Sequence, residues 1–404
     1  MKNLIFILLA LLIFTTCKKS TEKTITISNT GTVDLESHVI TISRTQFNNV
    51  VEDKIPLLLS QDDTLVSQTD DIDLDGDWDE LSFLITLAAK EQKEVAIRWS
   101  EAAEYPAFKP RTNIRFAKKM EDGIFEELDT EIRPADHTKA NPTVHYQMEG
   151  PAWENDVIGF RMYFDPRNGF DIFGKTTESI VLDKVGIEGN YHELQDWGMD
   201  ILKVNNSLGA GALALMWQDS LYRLEETKEA SFRKITEGPV RSIFELNYTG
   251  WSIGNKNIKL RQRITIEAGD PYYQSEVWLE GHPENAKLST GIVNINSDTA
   301  YHLDEASYEI LATHDNQAFA GEKLGMALLI AKKYNPEYMQ VPNKGKGITQ
   351  TYVLSMDLID QPVRFYFMAG WEINNKQYAD REYFLAKTEK EAIRLSSEPS
   401  ILFN

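Results

Sequence analysis

Cysteine is almost absent from this chain: Cys17 is the single one in 404 residues. That excludes a disulfide framework and a cysteine-ligated zinc site. Basic residues are also scarce, with 42 Lys and Arg against 62 Asp and Glu, a formal charge of -20 and a pI near 4.9. Nucleic acid and anionic membrane surfaces both call for a basic face, so neither is expected as a main partner. A small anionic ligand stays open, because a few cations in a cleft reverse the local potential. The longest apolar run, Leu4 to Phe14, is too short to span a bilayer. No Gly-x-Ser-x-Gly elbow, His-Glu-x-x-His helix or complete dinucleotide loop occurs, since Gly209 and Gly211 lack the third glycine and the helix that should follow. There is no internal repeat.

What the N-terminus does hold is a targeting pattern. Lys2 precedes the apolar run, and the run ends Phe14-Thr15-Thr16-Cys17. A lone Cys after small residues resembles the bacterial lipoprotein cleavage box. The reading is a signal peptide over 1–16, lipidation at Cys17 and a polar tether over 17–23. With Lys18 rather than Asp after the Cys, the expected location is the outer membrane facing the periplasm, or the cell surface, and the lipid anchor is the membrane contact.

From Thr24 onward the chain alternates with period two. Thr24 to Ser28, Val39 to Ser43, Leu81 to Leu87 and Val95 to Trp99 read as strands of a small β-domain over 24–105. Residues 106–404 continue the pattern, most clearly in Arg241 to Thr249, Lys256 to Ile266 and Tyr272 to Leu279, with a turn at Ala268-Gly269-Asp270-Pro271. Strands at this spacing imply a mainly β fold, an antiparallel β-sandwich. Thr388 to Leu395 reads as a short terminal helix.

Two features have metal-binding or catalytic chemistry. In Asp71-Ile72-Asp73-Leu74-Asp75-Gly76-Asp77-Trp78-Asp79, acidic groups at positions 1, 3, 5 and 9 surround a glycine at position 6. This suits oxygen coordination of a structural Ca²⁺ by Asp71, Asp73, Asp75 and Asp79, although Ser82 stands where an EF-hand has its bidentate Glu. An acidic turn is the alternative. The second feature is Tyr191 to Lys203, which gathers His192, Glu193, two Asp, Trp197 and Lys203. A His beside a carboxylate can move protons near neutral pH. We read His192 as a base oriented by Glu193, with a loop His bound to a backbone carbonyl as the alternative. His145, eight residues before Trp153, is a second candidate for acid or base. Arg161 and Tyr163 fall at i and i+2, on one face of a strand. Arg161 could clamp a substrate carboxylate, with Asn155 beside it, or pair with a nearby Asp. Tyr163 could be the acid. Trp153, Trp197 and Trp371 could stack on sugars or fill the core. Lys175 and Lys203 are auxiliary cations, with surface lysine as the default.

Gly150-Pro151-Ala152-Trp153-Glu154-Asn155-Asp156, Gly159-Phe160-Arg161-Met162-Tyr163-Phe164-Asp165, Asp171-Ile172-Phe173-Gly174-Lys175, Tyr191-His192-Glu193 and Ser207-Leu208-Gly209-Ala210-Gly211 stand in succession. In combination they resemble a family from bacterial polysaccharide-utilisation clusters that includes ulvan oligosaccharide dehydratases. The resemblance spans most of the mature chain. Asn205 departs from it, where a Gly is expected after Val204. The resemblance implies a hydro-lyase with an anionic oligosaccharide substrate of ulvan type, containing rhamnose 3-sulfate. Such an enzyme removes water from the glucuronic or iduronic acid at the non-reducing end and leaves a 4,5-unsaturated uronyl group. Because those two acids differ at C5, one base per face would serve both, and His145 with His192 are the natural pair. No cofactor is expected for catalysis. The fold expected for the larger part is a galactose-mutarotase-like extended sandwich. A polysaccharide lyase or glycoside hydrolase, and a lipid-anchored glycan-binding protein without catalysis, are the alternative readings. Nothing in the sequence sets an oligomeric state.

Overall fold

A computed structural model describes residues 23–404 except 62, 226, 306 and 360. The signal peptide, Cys17 and nearly all of the tether therefore lie outside the described residues. Lys23, assigned to the tether, opens the first strand.

Period-two alternation builds the small domain as expected. Ile25 and Ile27, Ile40 and Ile42, Leu81, Phe83 and Ile85, and Val95 and Ile97 point inward from four strands and are buried together. Two antiparallel sheets carry them. One orders Ser400–Phe403, Lys23–Ser28, Gln92–Glu101, Lys54–Ser60 and Asp63–Thr64, and the other Leu35–Ser43, Glu80–Leu87 and Ser67–Asp70. The first of these sheets revises the boundary drawn at 105. The C-terminal strand pairs with the first strand, with Ile25 opposite Phe403 and Ile27 opposite Ile401, so the chain ends in the small sandwich and not in the large one.

The large part is built on a nine-stranded antiparallel sheet, ordered Thr130–Ile132, Glu229–Thr236, Arg241–Ile253, Lys256–Glu267, Tyr272–Glu280, Val363–Trp371, Leu324–Ala331, Tyr308–Asp315 and Tyr301–Asp304. Its two faces bury different sets of residues. Leu311, Met326, Leu328, Ile330 and Phe367 join the main core, shared with two five-stranded sheets. Ile310, Ala312, Ala327, Leu329 and Met368 alternate onto the other face, under the helix Arg381–Ser396 through Phe384 and Ala392. That helix is twice the length the sequence suggested. It starts at Asp380, whose side chain caps the Glu382 amide at 2.9 Å.

Side-chain contacts clasp the two parts together. Gln68 accepts from the amides of Val240 and Arg241 and donates to the Arg241 carbonyl. Arg241 reaches Asp70 at 2.8 Å and Glu80 at 2.5 Å. Val39 and Leu84 pack on Val240 and Ala268 beside it.

One five-stranded sheet positions the residues of interest. It orders Gly198–Asp200, Phe170–Lys175, Ile158–Met162, Ala152–Asn155 and Thr112–Arg115. Its edge approach depends on Gly198, at φ 128°, where a Cβ would stand 1.8 Å from the Gly174 carbonyl oxygen. The turn beyond it contains Asn205. That residue takes φ 48°, the left-handed conformation that a glycine would supply and that asparagine tolerates.

Candidate functional site

Antiparallel register sets Arg161 opposite Asp171 and Phe173 opposite Asp200 on three neighbouring strands. These side chains converge in a buried polar cluster. Arg161, 1% exposed, donates through Nη2 to Asp171 Oδ2 (2.8 Å), Asp200 Oδ2 (2.7 Å) and Tyr163 Oη (3.1 Å). Through Nη1 it donates to the Met148 carbonyl (3.2 Å) and Tyr191 Oη (3.1 Å). Tyr163 Oη in turn donates to Asp171 at 2.5 Å. Outside the cluster, His192 Nδ1 stands 3.2 Å from Asp200 Oδ2. The His192 ring is about half exposed and lies 4.5 Å from the Tyr191 ring centroid and 5.9 Å from that of Phe319, itself half exposed.

One cation and two carboxylates leave this interior one negative charge in excess, and the titrations follow from that. The hydrogen bond to Asp200 raises the His192 imidazole above its ordinary value, against the opposing effect of partial burial, and the Asp200 charge adds to the rise. Burial pushes Asp171 up to about 6; the Asp200 charge adds to this, while Arg161 and Tyr163 hold it down. Burial and the Asp171 charge drive the Tyr163 hydroxyl far upward. Burial opposes the charge on Arg161, but Asp200, Tyr163 and Asp171 outweigh it. Nδ1 faces Asp200 Oδ2 at 3.2 Å, and a neutral ring that carries its proton on that side has Nε2 as its basic nitrogen. Such an arrangement can accept a proton at the surface, with the imidazole facing a buried carboxylate that a guanidinium holds in place.

Several sequence assignments change here. Arg161 is not free to clamp a substrate carboxylate, since Asp171 and Asp200 take Nη2 and the Met148 carbonyl and Tyr191 take Nη1. Glu193 does not orient His192: it accepts from Asn190 Nδ2 at 3.0 Å, and Asp200 takes the orienting role. Asn155 is structural. It donates to the carbonyls of Glu267 and Asp270 and accepts from the amides of Val157 and Ile158. Lys175 is fully buried, with Nζ 2.5 Å from Glu154 Oε2 and from the Asn155 carbonyl oxygen; a lysine in that position is an internal countercharge. Trp153 and Trp371 fill the main core. Trp197 is half-buried against Phe173 and donates to Gln195, while Lys203 is exposed. Tyr163 lies in the cluster, but its proton is held by Asp171. His145 is exposed, edge-on to Phe125 at 5.6 Å, and its ring makes no contact with the His192 cluster among the described residues.

Sequence reasoning missed Asp171, Asp200, Tyr191 and Phe319 as members of the site. Tyr191 and Asp200 both stood in the dense segment, but Phe319 comes from a loop brought in by its amide bond to the Ile201 carbonyl (2.8 Å), which has no sequence signature.

In the Asp-rich loop, carboxylate oxygens of Asp71, Asp73 and Asp79 lie within 4.8 Å of one another. Asp75 is outside that group and accepts from the Asp77 amide at 2.9 Å. Asp71 and Asp79 also gather backbone amides, among them Leu74 and Gly76 onto Asp71 and Ile72 onto Asp79.

Comparisons with known proteins support the fold and the family. The chain is 22% identical over 395 residues to Uncharacterized protein P7 of Formosa agariphila, covering 93% of this chain and 92% of that one. Among solved structures it is similar to a protein in the Glycosyl Hydrolase Family 38 from Enterococcus faecalis, with a TM-score of 0.50 at 9% identity. An α-mannosidase from Enterococcus faecalis V583 matches with a TM-score of 0.47, also at 9% identity. Both matches cover 95% of this chain, yet the chain spans only about half the length of these structures, 47% and 46% respectively. At such identity the first likeness speaks for the fold alone. Residues 27–401 match the family described as domain of unknown function (DUF4861), and the chain belongs to that family.

Proposed function

We propose that this protein is a hydro-lyase that eliminates water from the uronic acid at the non-reducing end of an oligosaccharide, with ulvan-type fragments as the substrate class. The observation that carries this reading is the half-exposed His192, oriented by Asp200 with its basic nitrogen left free. Elimination needs a base for the hydrogen at C5, α to the carboxylate. His192 Nε2 takes that proton, the C5–H electron pair forms the C4=C5 double bond, and the C4–O bond breaks. The departing hydroxyl requires a proton to leave as water. Tyr191 is placed to give it: its oxygen accepts from Arg161, so its own hydrogen is directed elsewhere, and its ring lies against His192. Tyr163 and His145, the acids suggested by the sequence, give way to it. The C5 hydrogen is weakly acidic beside an ionised carboxylate, so a positive charge near that group is needed. With Arg161 engaged internally, the cation we assign to that role is exposed Lys203, three residues beyond Asp200 in the chain. Phe319 offers an apolar face to the sugar.

Incubation with a saturated uronate-ended oligosaccharide tests the reading. Ultraviolet absorbance from a conjugated uronyl group should rise with time, and a flat trace over intact substrate would contradict it. The pH dependence carries a further expectation. A base works deprotonated, so the acid limb of kcat/KM should lie above the ordinary imidazole value of about 6.5. Asp200→Asn removes the interaction that raises His192 and should move that limb to lower pH; an unmoved limb would mean that Asp200 does not tune the base.

The lipoprotein reading of Cys17 fits a protein that meets oligosaccharides in the periplasm or at the cell surface. For the Asp-rich loop, three carboxylates drawn together without a cation repel one another, which supports structural Ca²⁺ held by Asp71, Asp73 and Asp79. Adding calcium to metal-free protein should raise its melting temperature by a few degrees, and Asp71→Asn should remove the rise. No shift in the unsubstituted protein would end the calcium assignment.

A further inference from the structure

A cavity of about 310 Å³ lies behind the short turn Gln147–Glu149, lined in part by His137, Val144, His145, Tyr146, Glu149 and Asp165. Its most telling group is Tyr146. The residue is 3% exposed, yet its hydroxyl has no hydrogen-bond partner among the described residues. A buried hydroxyl without a partner loses its hydration with nothing in return. The ring cannot turn aside to find one, because Phe116, Phe164 and His137 hold it at centroid distances of 5.0, 5.6 and 5.2 Å. His137 adds a second donor. Its Nδ1 accepts from the Val144 amide at 3.3 Å, which leaves Nε2 as the N–H of the neutral ring. Glu149 and Asp165 supply acceptors, and Asp165 is balanced by Arg167 at 2.6 Å. Val144 and the aromatic edges give an apolar wall. Donors, acceptors and apolar surface in one half-open volume suit a ring that carries several hydroxyl groups.

The cavity is also bonded to the His192 cluster. The Met148 carbonyl in the shared turn accepts from Arg161 Nη1. On the same turn, Glu149 lies 3.8 Å from Arg167, whose guanidinium covers the Tyr163 ring at 3.9 Å, and Tyr163 accepts from Arg161. We propose that this cavity is the subsite for the sugar ring adjoining the terminal uronate, a pyranose read through its hydroxyls by Tyr146 Oη and His137 Nε2, with Glu149 accepting in return. The proposal rests on the reading that the His192 cluster works on a terminal uronate. It gives His145 a place as a wall of this subsite, away from the reacting carbon.

Tyr146→Phe tests it with little risk to folding, since the ring and its packing remain and only an unpartnered hydroxyl is lost. Binding would be measured calorimetrically on the full chain with two probes, the methyl glycoside of the uronic acid and the saturated uronate-ended disaccharide. A His192→Ala background keeps turnover from obscuring the titration. The disaccharide should bind more tightly than the single ring. Tyr146→Phe should weaken the disaccharide about tenfold, leave the methyl glycoside unchanged, and hold or raise the melting temperature of the free protein. Equal disaccharide binding with and without the hydroxyl overturns the subsite, as does the absence of any disaccharide binding. The dehydratase reading fails separately: a protein that binds as expected but never forms an unsaturated product keeps the subsite and loses the reaction.

Discussion

Replacing Arg161 by methionine is expected to destabilise the protein by about 3–5 kcal/mol, because it leaves two buried carboxylates facing each other without their cation. The loss should show as a lower denaturation midpoint at pH 7. It should also shrink on acidification, and the sign follows from the carboxyl groups. Asp171 already sits at about 6 in the folded protein, above the ordinary aspartate value, so the native state binds more protons than the unfolded chain over that interval. Without Arg161 this difference grows, and stability is recovered as pH falls through the raised folded value. Adding Asp171→Asn and Asp200→Asn to Arg161→Met should restore part of the midpoint, because the uncompensated charges go with their partner. If the single substitution unfolds no more easily than the parent at pH 7, Arg161 is not the counterion that organises the cluster.

The second large effect concerns chemistry with little change in stability. His192 is half exposed and lies at the rim of the cluster, so His192→Ala should leave the melting temperature nearly unchanged. Removing a positioned general base costs roughly 10²–10⁴-fold in rate, which would take formation of the unsaturated uronyl product below ready detection. His145→Ala should fall far short of that loss, because that ring stands at the wall of the neighbouring cavity and away from the reacting carbon. A loss of product in His145→Ala equal to that in His192→Ala would restore the two-base scheme in which each histidine serves one C5 configuration.

Much of this was visible in the linear chain, and what was not has a physical cause. Strand alternation exposed the small sandwich, because Ile25 and Ile27 or Ile40 and Ile42 must share a face at period two. The same alternation put Arg161 and Tyr163 on one side; the strand stops at Met162, one residue short of Tyr163, yet the two side chains meet at 3.1 Å. Alternation says nothing about which strand lies alongside. The partner of Arg161 was set by the register that places Asp171 directly across from it, a pairing of residues ten apart that no local pattern encodes. Lys175 illustrates the same gap. A lone lysine defaults to the surface, and only Glu154, two strands away in the same sheet, makes its burial tolerable. The C-terminal strand is the extreme case: Ile401 pairs with Ile27 across almost the whole chain. Within the site, the dense segment around His192 gave that histidine a carboxylate partner, but the carboxylate it meets is a different one. Glu193 is adjacent in sequence, yet side chains of adjacent residues diverge, and the strand that follows returns Asp200 to Nδ1.

The central claim is that His192, held by Asp200, removes a proton in an elimination of water. Mass spectrometry of a saturated uronate-ended oligosaccharide, incubated with the parent protein and with His192→Ala in parallel, tests it most directly. The expected result is a product lighter by one water and unchanged in chain length with the parent, and unaltered substrate with the variant. Shortened chains, unaltered substrate with the parent, or equal dehydration by both proteins would contradict the claim.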